Sequence, residues 1–186
     1  MKSIFFILIT TFSICAKAQT SGVYMSAADF ESGKLAYTIN CSTEKHKIKL
    51  NEFLAKDYIT VVHDKQPHNL KKAEIFGYKD CNDVTYRLAV SRHYEMLNPK
   101  EKILLYKIEV PPAKNTKITI SYYFSSSAGE EIKELTLTNL KNAFPDNHKF
   151  HDALSTEFKA DADLVQYDTY HKVYKVNRLY SNSLSN

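Results

Sequence analysis

Residues 72–90, KAEIFGYKDCNDVTYRLAV, have the pattern of a β-hairpin and decide how the rest of the chain is interpreted. Residues 80–83, DCND, are typical of a turn, because Asn and Asp tolerate the backbone angles that turns require. After this turn, apolar residues alternate with Thr85, Arg87 and Ala89, and a period of two indicates a strand. We therefore expect the chain to be organised around a β-rich segment, residues 58–125, with this hairpin inside it.

Further strands are predicted on both sides of the hairpin. Residues 58–63, YITVVH, are rich in β-branched residues, which favour strands. Residues 64–67 are predicted to form a turn, since Pro67 cannot donate a hydrogen bond to a ladder. Residues 70–78 are predicted to form the next strand, with Gly77 as a candidate bulge. The remaining strands are predicted at residues 35–37, 48–50, 93–97, 103–110 and 118–124.

The hydrophobic period changes after a Ser-rich linker at residues 125–129. Thr136 or Thr138 is predicted to cap a helix that ends before Pro145, and Asp146 to cap the next. Apolar residues in this second helix repeat every four positions, at Phe150, Leu154 and Phe158. Asp161 is predicted to open a third helix with one apolar stripe, formed by Leu164, Tyr167, His171 and Tyr174.

Strands followed by a block of helices predict an α+β fold. We expect an antiparallel β-meander of six to eight strands, curled or barrel-like, with the C-terminal helices packed on it. A single domain is predicted over residues 19–180. Its β-rich part covers residues 19–125 and its helical part residues 135–178, and residues 181–186 are predicted to be a polar tail.

Residues 1–18 are predicted to be a signal peptide. Lys2 precedes an apolar run from Ile4 to Ile14, and Ala16-Lys17-Ala18 then forms an A-x-A cleavage site. The run is about half the roughly 20 residues that a membrane-spanning helix needs, so no span is expected after cleavage. An uncleaved anchor or lipidation at Cys15 remains the alternative. The sequence therefore predicts an exported protein, either periplasmic or secreted.

The charge of the exported chain argues against nucleic acid as a partner. Removal of Lys2 and Lys17 leaves 23 basic residues against 21 acidic ones, a net charge of +2. Export also leaves two cysteines, Cys41 and Cys81, in a compartment where disulfides persist. Both lie at the ends of predicted elements, so we predict that they form a disulfide. Two separate buried thiols are the alternative.

Three blocks of sequence resemble a group of uncharacterised exported proteins of Bacteroidota. They are EIFGYKDCNDVTYR at residues 74–87, LTLTNLKNAFPDNHKFHDAL at residues 135–154 and DTYHKVYKVNRLY at residues 168–180, together with the Ala18-Gln19 end of the signal. The resemblance implies no activity, cofactor or catalytic residue.

Candidate chemical groups are few, and no cofactor is predicted. His148 and His151 share a face of a predicted helix with Asp152, which is a candidate metal site by spacing, but the H-E-x-x-H signature is absent. The histidines near strand ends, at positions 63, 68 and 93, lack a nucleophile in a recognisable motif. Only four glycines are present, which argues against Gly-rich phosphate loops.

The aromatic residues are the main compositional oddity, with thirteen Tyr, ten Phe and no Trp. Tyr167, Tyr170 and Tyr174 are predicted to pack on the sheet, and they are also a candidate binding stripe. The leading hypothesis is an exported, non-catalytic module that binds a partner or belongs to the envelope. The alternatives are a small β-barrel that binds an apolar ligand, and a hydrolase whose site is not recognised.

Overall fold

The computed structural model describes residues 19–44, 47–52, 56–89, 92–110 and 119–185. The predicted signal peptide, its cleavage site and Cys15 lie outside these residues, as do Val90 and Ile118 of the predicted strands. No described helix is both long enough and apolar enough to cross a membrane.

The described residues form thirteen strands, four α-helices and two short 3-10 helices. The strands are β1 Thr20–Tyr24, β2 Ala36–Asn40, β3 Lys47–Lys49, β4 Tyr58–His63, β5 Gln66–Lys71, β6 Gly77–Lys79, β7 Thr85–Ala89, β8 Arg92–Met96, β9 Leu104–Val110, β10 Thr119–Ser125, β11 Lys133–Glu134, β12 Tyr167–Asp168 and β13 Val173–Tyr174. The α-helices are α1 Ala27–Glu31, α2 Leu137–Ala143, α3 His148–Glu157 and α4 Lys175–Leu184, and the 3-10 helices are Lys72–Glu74 and Asp161–Val165.

Eight strands form one antiparallel sheet in the order β11-β10-β9-β8-β7-β6-β1-β2. The predicted α+β class, the antiparallel meander and the number of strands in it are confirmed. The predicted barrel-like closure is wrong, because β11 and β2 are opposite edges of an open sheet. A separate three-stranded sheet, in the order β3-β4-β5, and the small hairpin β12-β13 complete the β-structure.

One face of the main sheet is covered at both ends. Leu105 and Phe124 on this face pack against the C-terminal helices, whose core residues include Leu140, Phe150 and Leu154. The three-stranded sheet covers the other end of the same face, and its contacts there are made by Val23, Ile59, Val61, Ile75, Tyr78 and Leu88. The predicted cover by C-terminal helices is thus found over one half of this face.

The opposite face of the sheet is covered by α1 and by the turn between β10 and β11. Its core contains Tyr24, Phe76, Tyr94, Met96, Leu104, Tyr106 and Ala128, with Phe30 of α1 packed against them. Because β9 buries Leu104 and Tyr106 here and Leu105 on the helical face, its predicted central position is confirmed.

Three local predictions around β5 differ from the structure: the turn is shorter than predicted, the strand after it is divided, and Gly77 is not a bulge. Asp64 and Lys65, both with positive φ, form the turn by themselves, and Pro67 lies inside β5. Since β5 is an edge strand, a missing N–H there need not cost a ladder bond. The predicted strand over residues 70–78 is divided by the 3-10 helix Lys72–Glu74, which carries the chain from one sheet to the other. Gly77 pairs regularly rather than as a bulge, and a Cβ there would collide with the carbonyl oxygen of Tyr86.

The predicted third helix is also wrong. Residues 161–165 form a 3-10 helix, residues 167–174 form the hairpin β12-β13, and α4 begins only at Lys175. The Asp168 carboxylate accepts hydrogen bonds from the backbone N–H groups of Tyr170 and His171, both at 3.0 Å. Such side-chain to backbone bonds compete with helix formation, and Lys172 has a φ of 55°, which a helix does not permit.

Candidate ligand-binding cleft

An open cleft of about 530 Å³ lies on the face of the sheet that carries α1. Its floor is made by residues that this face buries, namely Tyr24, Thr85, Leu104 and Ala128. Its rim is polar and is supplied by four separate segments: the end of α1, the turn between β6 and β7, the residue 99–102 turn, and the turn between β10 and β11. Most of the lining residues are polar or charged, so the cleft is more polar than a common small-molecule site, which is lined mainly by apolar side chains.

The first wall is α1, which is fixed at both ends. The Ser26 hydroxyl oxygen accepts the backbone N–H of Asp29 at 3.1 Å and caps the start of the helix, and Gly33 follows the helix with a φ of 69°. The Phe30 ring packs edge-on against Tyr24 at 5.4 Å and stacks on Phe76 at 4.8 Å between centroids. These contacts hold Glu31, at the end of α1, on the rim of the cleft.

The second wall is the turn predicted at residues 80–83. The Asp80 carboxylate accepts the backbone N–H groups of Asn82 and Val84, both at 2.9 Å, which shapes the turn. Lys79 and Asp83 form an ion pair at the cleft. Cys81 forms the predicted disulfide with Cys41, with Cα atoms 5.6 Å apart. The disulfide is thereby confirmed, and it ties this wall to the end of β2.

The third wall is the turn that contains Lys100, Glu101 and Lys102. It is held from below by Asn98, whose Oδ1 accepts the backbone N–H of Leu105 at 2.6 Å and whose Nδ2 donates to the carbonyl of Ile103 at 2.8 Å. Asn98 Nδ2 also donates to the Glu101 carboxylate at 3.0 Å. Burial raises the pKa of Glu101, and the hydrogen bond from Asn98 opposes that shift.

The fourth side of the cleft, Ser127 and Ala128, is held by a buried arginine. The Arg87 guanidinium donates to Tyr106 Oη at 3.1 Å, to Ser125 Oγ at 3.2 Å and to the carbonyl of Glu130 at 2.7 Å. Ser125 Oγ in turn donates to the carbonyl of Ser127 at 2.7 Å. Arg87 is only 9% exposed. Its bonds therefore tie the β10–β11 turn to the centre of the sheet.

Two of the three candidate metal-binding side chains are exposed, and the third has another role. His151 Nε2 lies 3.1 Å from the carbonyl oxygen of Lys141 and 2.9 Å from that of Phe144, so this nitrogen carries the proton and donates. This nitrogen caps the C-terminus of α2 and has no lone pair for a metal, whereas Nδ1 of the neutral ring keeps its lone pair. His148 and Asp152 are exposed on α3. Among the described residues, no group of three or more His, Cys, Asp or Glu could hold a metal ion.

The histidines near strand ends do lie beside acids, but away from the cleft. His63 Nε2 is 3.5 Å from Asp64, and His93 Nδ1 is 2.5 Å from Glu52. A third pair, which the sequence did not suggest, joins His171 Nδ1 to Asp168 at 2.8 Å. None of these pairs lines the cleft.

The three tyrosines of the candidate binding stripe do not share one environment. Tyr170 is 87% exposed at the tip of the β12-β13 hairpin, and Tyr167 is 48% exposed. Tyr174 is partly buried against the helical core, and its ring is 5.2 Å from that of Tyr167. The prediction that all three pack on the sheet is wrong for Tyr170, because the turn at Asp168 directs this residue outward.

Sequence reasoning did not identify the cleft. Its walls come from residues 30–33, 79–85, 99–104 and 127–128, which are far apart in the chain and carry no motif. The hairpin sequence did contain one indication of the site. Thr85 and Arg87 lie on the polar face of the predicted strand β7, yet this face is buried in the structure, as is the apolar face. A charged residue on a buried face of a strand marks a place where polar partners must converge.

The fold and the cleft define an open-sheet α+β protein with a site of ligand size. Comparisons with protein-family models, with curated proteins and with solved structures give no match.

Proposed function

We propose that the protein is an exported, non-catalytic binding module that takes a small polar ligand in the cleft between α1 and the residue 99–102 turn. The cleft itself carries this proposal: its volume of about 530 Å³ lies within the roughly 300–1,000 Å³ that small-molecule sites occupy. The predicted signal peptide and the Cys41–Cys81 disulfide support export, since disulfides persist in oxidising compartments.

The walls of the cleft are preorganised, which favours binding. The disulfide, the Asn98 hydrogen bonds and the Arg87 hydrogen bonds each fix one wall in the free protein. A ligand then has little protein entropy to remove when it binds. The hydrolase alternative has less support, since the described His–acid pairs named above all lie outside the cleft.

A nuclear magnetic resonance titration tests the proposal. The ¹⁵N-labelled exported chain is titrated with a small-molecule extract of the envelope of the cells that make it. We expect shifts of the backbone amides of Glu31, Ser32, Lys102 and Ser127, at the rim of the cleft. Shifts confined to other parts of the chain, or no shifts at all, would contradict the proposal.

A second candidate function, binding of a protein partner, is favoured by one observation. Tyr170 is 87% exposed on a turn that Asp168 holds rigid by accepting bonds from Tyr170, His171 and Arg178. A fixed, exposed Tyr is a common anchor at interfaces because few rotamers are lost on binding. A photo-crosslinking residue at position 170 should then label one envelope protein in cells, and the same residue at the exposed position 156 should not.

A further inference from the structure

Arg87 places a positive charge beneath the cleft that the described part of the chain does not neutralise. Its three hydrogen-bond acceptors, on Tyr106, Ser125 and Glu130, are two hydroxyls and a backbone carbonyl. No carboxylate of a described residue lies within 4 Å of the guanidinium. In the low dielectric of a protein interior, such a charge acts over a longer distance than it does in water.

This charge is one layer of side chains away from the floor of the cleft. The guanidinium carbon is 5.2 Å from the centre of the Phe76 ring, which stacks on Phe30 at the cleft. On its other side, Ser125 links it to Ser127, which also lines the cleft. Thr85 of the floor is two residues from Arg87 on the same face of β7.

The charged groups on the rim balance in number, but two of its lysines have no ion-pair partner in the part of the chain that the structure describes. Lys100 and Lys102 are exposed and have no ion-pair partner among the described residues, whereas Lys79 is paired with Asp83. The Glu101 carboxylate already accepts bonds from Asn98 and from the backbone N–H of Tyr174. Glu31 is then the acid that faces the cleft without a partner in the described structure. The neutral donors to Glu101 do not cancel its charge. Lys100, Lys102 and the buried Arg87 therefore act against the two carboxylates of Glu31 and Glu101, which leaves one positive charge in excess.

We infer that the ligand of the cleft is an organic anion, whose carboxylate or phosphate group is bound by Lys100 and Lys102 over the charge of Arg87. This inference rests on the proposed function, because it names the ligand class for the same cleft. The apolar part of the ligand lies on Tyr24, Leu104 and Ala128, which form the floor. An anion beside Lys100 and Lys102 gains from the one positive charge in excess, and a neutral molecule does not.

The test uses two small nitroxide probes that differ in charge, one a carboxylate and the other an ammonium. Each probe is added to the ¹⁵N-labelled exported chain, and the paramagnetic relaxation of amide protons is measured. At Lys102, Ser127 and Ala128 we expect the anionic probe to relax the amides at least about twofold more strongly than the cationic one. A ratio of one or less in the wild-type protein would overturn the inference.

Two double variants with the same total charge localise the effect. Lys100→Gln with Lys102→Gln leaves Arg87 against the carboxylates of Glu31 and Glu101, and should bring the ratio at the cleft to one or below. Lys65→Gln with Lys159→Gln removes two exposed lysines that do not line the cleft, and should leave the ratio unchanged. An equal fall in both double variants would show a general charge effect and overturn the inference.

The inference and the proposed function fail in different ways. If the cleft binds a neutral or cationic molecule from the envelope, the binding function stands and the anion inference is wrong. If the probes show a positive potential at the cleft but no envelope molecule shifts the amides of the cleft, the positive potential is confirmed and the proposed binding function is wrong.

Discussion

Cys41 and Cys81 are joined by a disulfide that closes a loop of 40 residues and links the end of β2 to the turn of the β6–β7 hairpin. Because Lys79 and Asp83 on either side of Cys81 line the cleft, the bond fixes a wall of the site as well as an edge of the sheet. It also holds the end of β2, an edge strand of the main sheet.

Removal of this disulfide should lower stability. The loop-entropy model gives about 4 kcal/mol for a loop of this size. We expect the Cys41→Ser, Cys81→Ser double variant to lose about this much of the free energy of unfolding, as measured by urea denaturation of the exported chain without reductant. Reduction of the wild-type protein should give a similar loss, and an unchanged urea midpoint in both cases would contradict this role.

Arg87 should stabilise the fold through the geometry of its hydrogen bonds as well as through its charge. Arg87→Ala leaves Tyr106 and Ser125 without their shared donor and should cost about 3 kcal/mol. Arg87→Lys keeps the charge but cannot reach three divergent acceptors, so it should recover less than half of the loss. Arg92→Ala, an exposed control on β8, should change stability by no more than about 0.5 kcal/mol. Full recovery by lysine would contradict the hydrogen-bond network.

Tyr170 and Tyr174 should respond very differently to truncation. Tyr170→Ala removes an exposed ring and should leave the free energy of unfolding within about 0.5 kcal/mol of wild type. Tyr174→Ala removes a ring that is partly buried against the helical core and should cost about 2 kcal/mol. Equal losses, measured by thermal or urea unfolding, would show that the two rings share one environment.

Acid should weaken the β12-β13 turn in a defined range of pH. Hydrogen bonds from the backbone N–H and the ring of His171 lower the pKa of Asp168 to about 2, from its ordinary value of 3.8. A lowered pKa means that the ionised carboxylate stabilises the folded state above pH 4, and that this contribution is lost as the pH falls from about 4 to about 2.

The matched variant for this prediction is Asp168→Asn. Its urea midpoint should lie below that of the wild-type protein at pH 6, and the gap should shrink as the pH falls towards 2. Acidic groups that both proteins share cancel in this difference. A gap that stays constant from pH 6 to pH 2 would contradict the assignment to the Asp168 carboxylate.

The sequence predicts elements well where local chemistry decides them. The Asp80 turn, the strand Tyr58–His63 and the Thr136 cap are all found as expected. The disulfide was predicted because both cysteines lie at element ends. The turn, the strand and the cap depend on residues within a few positions of one another. The disulfide is predictable because two cysteines allow only one intramolecular pairing.

Features that depend on residues far apart in the chain could not be predicted from the sequence. The spacing of Leu164, Tyr167, His171 and Tyr174 fits a helix, but the Asp168 carboxylate binds the backbone and makes a turn instead. Whether the meander closes depends on twist and on its edges, which a period-two pattern does not encode. The cleft and the role of Arg87 arise only when four separate segments meet on one face.

Retention of a ligand by the purified protein tests the central claim most directly. Wild-type protein, Ser32→Trp and Ser181→Trp are each incubated with the envelope extract, separated from it and denatured, and the released molecules are identified by mass spectrometry. Ser32 is exposed at the rim of the cleft, whereas Ser181 is exposed on α4 away from it. We predict that wild type and Ser181→Trp release the same anionic molecule, and that Ser32→Trp, which fills the cleft, releases none. Equal release by all three proteins, or release by none, would contradict the cleft as the binding site.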